Sequence, residues 1–189
     1  MFDTGNEITM KNLLAAYQGE MNGAAQYKAF AAKADSEGLN GIGSLFRAAA
    51  RAEQIHANAQ ARVLRQMGGE ATAQINTHKV KSTLENLKAA LAGENYEIGT
   101  MYPAFIEEAT ARINSTAARS FGLALEAEKT HARLFSEAIG LVAGNQSGSW
   151  IGTARDFYVC PVCASTSDHR STENCVICIY PSDRLEAVR

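Results

Sequence analysis

A Glu-x-x-His motif occurs twice, at Glu53/His56 and Glu128/His131, 75 residues apart, and each copy lies on a stripe that is otherwise apolar. Phe46, Ala49, Val63 and Leu64 flank the first copy, and Phe121, Leu125, Phe135 and Ile139 flank the second. The i, i+3 spacing puts both polar side chains on one helix face. The repeat runs wider: "NLLAAYQGE" (12–20) aligns with "NLKAALAGE" (86–94) at a shift of 74, and Tyr27/Tyr102, Phe30/Phe105 and Phe46/Phe121 align at a shift of 75. One residue has therefore entered between 94 and 102. A helix takes in a single insertion most readily as a π turn. Pro103 adds to the irregularity, because it lacks the N–H that an α-helix would bond to the carbonyl of Gly99.

Apolar residues keep helical spacing over 9–67 and 82–143, with breaks near 35–43 and 110–116. That predicts an all-α bundle of four helices, each of about 25–30 residues. Ser82 and Glu85 form a capping-box start for the third helix, after a crossover at 68–80. The Gly/Ser-rich stretch 144–152 reads as a linker, dividing the chain into a bundle at 1–146 and a small cysteine-containing unit at 147–189. A length of 189 residues suits one domain and an appendage. The opening "MFDTGNEITM" has neither a basic nor an apolar segment of the kind a secretory signal needs, and no apolar run approaches the ~18 residues of a membrane span. A cytoplasmic location is the expectation. A net charge of −2 without a basic face argues against nucleic acid as a partner.

Each helix aims at least one carboxylate at the shared interior: Glu20 from the first, Glu53 from the second, Glu94 and Glu97 from the third, Glu128 from the fourth. Burying five such charges without compensation costs several kcal/mol each, against the about 5–15 kcal/mol that holds a domain folded. Two divalent metals would supply the missing positive charge. One Glu from each of two helices plus Glu-x-x-His from each of the other two is the ligand set of di-iron and di-manganese carboxylate bundles, and oxygen-rich ligation with imidazole suits those metals. A lone Glu-x-x-His is more often a surface pair; two at matching repeat positions on apolar stripes outweigh that reading. Tyr27 and Tyr102, one to two turns past a ligand in each half, are placed for a phenol to hydrogen-bond a ligating carboxylate. His78, His169, Glu107, Glu108 and Glu126 are read as solvated.

All four cysteines fall in the last 30 residues as Cys160/Cys163 and Cys175/Cys178. Two paired CxxC motifs form a tetrahedral sulfur site for iron or zinc.

The segments "KNLLAAYQGE", "RAEQIHA", "TLENLKAALAGENYEIGTMYP" and "EAEKTHA", with the paired CxxC tail, resemble the rubrerythrin family over essentially the whole chain. The resemblance implies a ferritin-like bundle with a C-terminal rubredoxin-like domain. It implies two irons held by Glu20, Glu53, Glu94, Glu128, His56 and His131, and an iron at the four cysteines. Glu97 matches an extra carboxylate that exchanges with the histidine matched by His56 when the site is oxidised, and Tyr27 and Tyr102 match phenols hydrogen-bonded to ligands. The activity implied is reduction of hydrogen peroxide to water in oxidative-stress defence, with electrons from a rubredoxin or an NAD(P)H-dependent reductase. A head-to-tail homodimer, placing the cysteine centre of one subunit near the di-iron site of the other, is also implied. Ala164 and Ile179 stand where the family has glycine after each cysteine pair, leaving iron or zinc open at that site. The alternative is a ferritin-like iron-oxidising and storage protein with a structural zinc tail; Glu97 speaks against it.

Overall fold

The structure, a computed structural model, describes residues 4–76, 79–144 and 150–189, with side chains from residue 6 onward. His78 and the boundary at 146/147 lie outside the described residues. Five α segments follow in order: α1 (Thr4–Ser36), α2 (Asn40–Gln66), α3 (Thr83–Tyr96), α4 (Tyr102–Ala111) and α5 (Ser115–Ala143). A π turn, Glu97–Met101, joins α3 to α4, and the Tyr102 N–H bonds the carbonyl of Glu97, five residues back. These two segments are one bundle helix, interrupted where the repeat gains its residue.

Local chemistry sets the ends. Gly38 takes a φ of 74° at the turn between α1 and α2, a conformation that costs glycine nothing. The Ser82 hydroxyl accepts from the Glu85 N–H in a reciprocal capping box that starts α3, and the Asn114 side chain caps α5. The crossover is pinned to α1: Gln18 and Asn22 accept from the backbone N–H groups of Gln74 (2.7 Å) and Asn76 (2.8 Å).

α1 packs on α2, and α3 with α4 on α5. Two apolar clusters fill the bundle. Tyr27, Phe30, Phe46 and Phe135 form an aromatic group in one, and Leu13, Val63, Tyr102 and Phe121 belong to the other. Tyr27 and Tyr102 turn their hydroxyls from these clusters onto the carboxylates, which occupy the polar layer between.

The cysteine unit carries a three-stranded antiparallel sheet of β1 (Phe157–Val159), β2 (Thr166–Ser167) and β3 (Glu186–Val188), ordered β2-β1-β3. Tyr158 pairs with Ser167 on one side and Ala187 on the other. Phe157, Val159 and Ala164 are fully buried in the same apolar cluster as the bundle's Phe46 and Phe135, and burying Phe157 and Val159 contributes about 1.5–3 kcal/mol each. Arg51 holds Glu186 through two hydrogen bonds, 2.6 and 2.8 Å, and the Gly41 N–H donates to the carbonyl of Ile151 at 2.8 Å. The unit is thereby fixed to α2 and α5 of its own chain. Among the described residues, no helix is long and apolar enough to cross a membrane.

Candidate metal centre

Repeat and helix register bring the carboxylates together as two overlapping groups. Glu20, Glu53, His56 and Glu128 form one; Glu53, Glu94, Glu128 and His131 form the other. Within each group, one ligand atom from every residue lies within 4.8 Å of the rest. Glu53 and Glu128 belong to both, so the arrangement has two adjacent cation positions with two carboxylates between them. All six side chains are buried.

The histidines face inward by Nδ1. His56 Nδ1 lies 2.8 Å from Glu128 Oε1 and 3.6 Å from Glu20 Oε2; His131 Nδ1 lies 2.6 Å from Glu128 Oε2 and 3.8 Å from Glu94 Oε2. Each Nε2 meets the cysteine unit: His56 Nε2 is 3.2 Å from the carbonyl of Cys163, and His131 Nε2 is 3.1 Å from the carbonyl of Ala164 and from Thr166 Oγ1. A carbonyl only accepts, so each Nε2 carries hydrogen, which in the neutral imidazole leaves the Nδ1 lone pair for a cation.

The electrostatics of the cluster favour positive charge among its carboxylates. Burial pushes Glu94 up to about 7, helped by Glu128. Burial opposes charge on His131 too, but Glu128 and Glu94 outweigh it and hold the imidazole at about 10. Burial also works against ionised Glu128, yet His56 and His131 keep it below the ordinary carboxylate range. Among the described residues, Glu20 Oε2, Glu53 Oε2, Glu94 Oε2 and Glu128 Oε1 have no hydrogen-bond partner, although the last lies 2.8 Å from His56 Nδ1. Buried acceptors without donors cost about 1–3 kcal/mol each and more when charged. Oxygens converging with imidazole nitrogen fit two cations of the iron or manganese class.

The Tyr27 hydroxyl donates to Glu94 Oε1 at 2.6 Å, and the Tyr102 hydroxyl donates to Glu20 Oε1. Burial, then the nearby carboxylates, raises both phenols above their usual range, so they remain donors. Glu97 stands on the π turn, partly exposed, outside the two groups. Its carboxyl is nonetheless held well above the ordinary range, first by burial and then by Glu20, Glu128 and Glu94.

Gln60 escaped the sequence reading. It is buried, donates from Nε2 to Glu20 Oε1 at 3.1 Å, and reaches Tyr102 Oη at 2.8 Å. The available signal was its position four residues after His56 on the same face, where the second half carries Phe135. Glu107 and His169 are exposed as expected, Glu108 pairs with Arg112, and Glu126 pairs with Lys129.

The four cysteine sulfurs also lie within 4.8 Å of one another, with Cys160–Cys178 and Cys163–Cys175 both at 3.5 Å. A tetrahedron with metal–sulfur bonds of about 2.3 Å has sulfur–sulfur edges of roughly 3.8 Å, so the cage fits one ion with a slight adjustment. The Cys163 thiol, hydrogen-bonded to Cys160, lowers Cys160 to about 5, favouring thiolate. Ala164 and Ile179 take φ values of 64° and 63°, and their N–H groups bond the carbonyls of Cys160 (2.9 Å) and Cys175 (2.8 Å). Both knuckles keep the glycine-type turn without glycine.

The head-to-tail expectation brings a partner's cysteine unit to the carboxylates. Here the chain's own unit stands there, because its β1 residues share the bundle's apolar cluster and Gly41 admits the 150–153 segment against α2.

The rubrerythrin family model matches residues 11–139. Rubrerythrin-2 of Clostridium acetobutylicum is 34% identical over 183 residues, 96% of this chain and 97% of the relative. Nigerythrin of Nitratidesulfovibrio vulgaris is 33% identical over 180 residues, 95% of this chain and 86% of the relative. A structure of nigerythrin in its fully reduced, all-ferrous state superposes with a TM-score of 0.85 at 34% identity, covering 95% of this chain and 86% of that one. The bacterioferritin of Desulfovibrio desulfuricans, at a TM-score of 0.72 and 19% identity over 80% of this chain and 91% of that one, shares the fold. A ferritin-like four-helix bundle, a doubled carboxylate–histidine cluster and a terminal four-cysteine cage agree with these likenesses: the chain belongs to the rubrerythrin family.

Proposed function

We propose that this protein is a peroxide reductase, converting hydrogen peroxide, two protons and two electrons into two waters. The observation that carries the reading is the placement of the four-cysteine cage directly behind both inward-facing histidines, through the carbonyls of Cys163 and Ala164. When bound, two irons supply the electrons that cleave the O–O bond, and an iron in the cysteine cage returns them. Glu20 with His56 would hold one bundle iron, Glu94 with His131 the other, and Glu53 and Glu128 would lie between. Tyr27 and Tyr102 fix the orientation of Glu94 and Glu20 through their hydroxyls. Glu97 would be the further carboxylate available to hold the iron in place of His56 in the oxidised protein. The storage alternative has no use for a sulfur cage against the histidines.

A rubredoxin or an NAD(P)H-dependent reductase is the proposed electron source, the cytoplasm the proposed compartment, and a homodimer the proposed assembly. Sedimentation checks the last; a fully active monomer would show that the in-chain contact suffices. The central test is metal analysis with the visible spectrum, followed by anaerobic titration of the reduced protein with peroxide. About three irons per chain, an Fe–thiolate chromophore and stoichiometric oxidation are expected. Zinc in the cysteine cage, or reduced iron inert to peroxide, would overturn the reading.

A further inference from the structure

Between α2, α5 and the first cysteine knuckle lies a cavity of about 430 Å³ whose wall includes Asn58, Arg62, Thr116 and Arg119. A second cavity, of about 30 Å³, continues it inward, and Ala59, Ser120, Leu123 and Val162 line both. His56, Gln60 and Cys163 help to form the inner wall. Because His56 Nδ1 faces Glu128 and Gln60 bonds Glu20, that wall is the edge of the carboxylate cluster.

The inner cavity has an unusual polar lining. Gln60 is 1% exposed and directs its amide hydrogens to Glu20 and Tyr102, while its Oε1 has no hydrogen-bond partner among the described residues. Ser120 Oγ is likewise buried and without a partner among the described residues. A free acceptor and a free hydroxyl suit a small neutral molecule that both donates and accepts hydrogen bonds. The amide oxygen repels an anion. A volume of about 30 Å³ has room for about two oxygen-sized centres, the number in hydrogen peroxide. Alanine, leucine and valine make up the rest of the neck, so its width is set by side-chain bulk.

With peroxide as substrate on the reading above, we propose that these two cavities are its entry passage, that the Ala59–Ser120–Leu123–Val162 neck admits hydrogen peroxide and excludes bulky organic hydroperoxides, and that Gln60 Oε1 receives the substrate at the inner end. Gln60 then meets the incoming O–H through Oε1 while its amide nitrogen keeps Glu20 in place.

The iron-loaded full chain is tested by stopped flow with hydrogen peroxide, with cumene hydroperoxide, and with nitric oxide as a neutral probe that needs no turnover. Ala59→Phe, which fills the neck, should keep iron content and spectrum, leave cumene hydroperoxide as poor a substrate as it is for the wild type, and slow the reaction with hydrogen peroxide about tenfold. Nitric oxide should associate and dissociate more slowly by the same factor, since a passage changes rates and leaves affinity alone. Leu123→Ala, which widens the neck, should raise the cumene hydroperoxide rate about tenfold with little change for hydrogen peroxide. It decides the matter even where Ala59→Phe fails to fold. Ala15→Phe, on a separate cavity against α1, should change nothing. Unchanged kinetics in both neck variants would overturn the passage and put entry beside the partly exposed Glu97. A wild-type protein inert to both peroxides, with nitric oxide still slowed by Ala59→Phe, would overturn the substrate and uphold the passage.

Discussion

Ile179 holds a φ of 63° with a branched side chain that is 69% exposed. A left-handed conformation costs a residue with a Cβ about 1–2 kcal/mol, and little packing offsets it here. Ile179→Gly should therefore stabilise the metal-loaded protein by about 1 kcal/mol, read as a higher melting temperature and slower metal loss to a chelator. Ala164 has the same φ but is fully buried in the cluster joining the cysteine unit to the bundle. Ala164→Gly exchanges relief of strain for a lost methyl contact of about 0.8 kcal/mol, so no gain is expected. The two replacements for glycine look alike in the sequence because burial is invisible there. Gln60 was missed for a related reason: an amide on an apolar stripe reads as a tolerated polar residue until its partners are seen. The asymmetry at Glu97 is legible in the repeat, because the first half has Gly23 and Ala24 where Glu97 would find a counterpart. A Cβ at Gly23 would lie 3.4 Å from Glu53 Cγ, in ordinary van der Waals contact with that ligand side chain. Glu97→Ala should keep most of the bundle iron by metal analysis while losing peroxide turnover; normal turnover would remove Glu97 from the mechanism.

The π turn decides whether α3 and α4 serve one site. Glu94 on α3 and Tyr102 at the start of α4 both address the cluster across it. Removing one residue there rotates everything downstream by about 100°. Deletion of Gly99, which a Cβ would find surrounded by open space, is expected to replace the π turn by α-helical register, with only the bond at Pro103 missing, and turn Tyr102 away from Glu20. Bundle iron should fall while the spectrum of the cysteine cage persists; retention of both irons would show that the insertion is incidental. The insertion could be read from the shift between 74 and 75, and the helices from their apolar period, because both are local patterns. Docking of β1 against α2 could not, since it depends on distant segments meeting. Its one local trace is Gly41, where a Cβ would come within 1.9 Å of the Trp150 carbonyl oxygen. Gly41→Ala should loosen the cysteine unit, exposing the 150–153 segment to limited proteolysis while the bundle keeps its helicity.

For the whole molecule, the buried cluster couples stability to pH with opposite signs in the metal-free and loaded forms. In the metal-free chain His131 is raised from 6.5 to about 10. That raised base stabilises the fold fully below 6.5 and loses its contribution as pH climbs through about 10. Glu128 is lowered from 4.5, so its contribution is present above 4.5 and disappears as pH falls through the lower folded value. Glu94, raised from 4.5 to about 7, opposes folding increasingly over that interval as the unfolded chain ionises and the folded one does not. Metal-free protein should thus be most stable in mildly acidic solution and weaken steadily towards alkaline pH. Metal reverses the trend, since its ligands bind it deprotonated and its affinity grows as protons are lost. The gap in melting temperature between loaded and metal-free protein is expected to widen from about pH 6 to about pH 9. Parallel curves across that range would mean that the carboxylates and histidines bind no cation, because only exchange of protons for metal makes the two forms diverge.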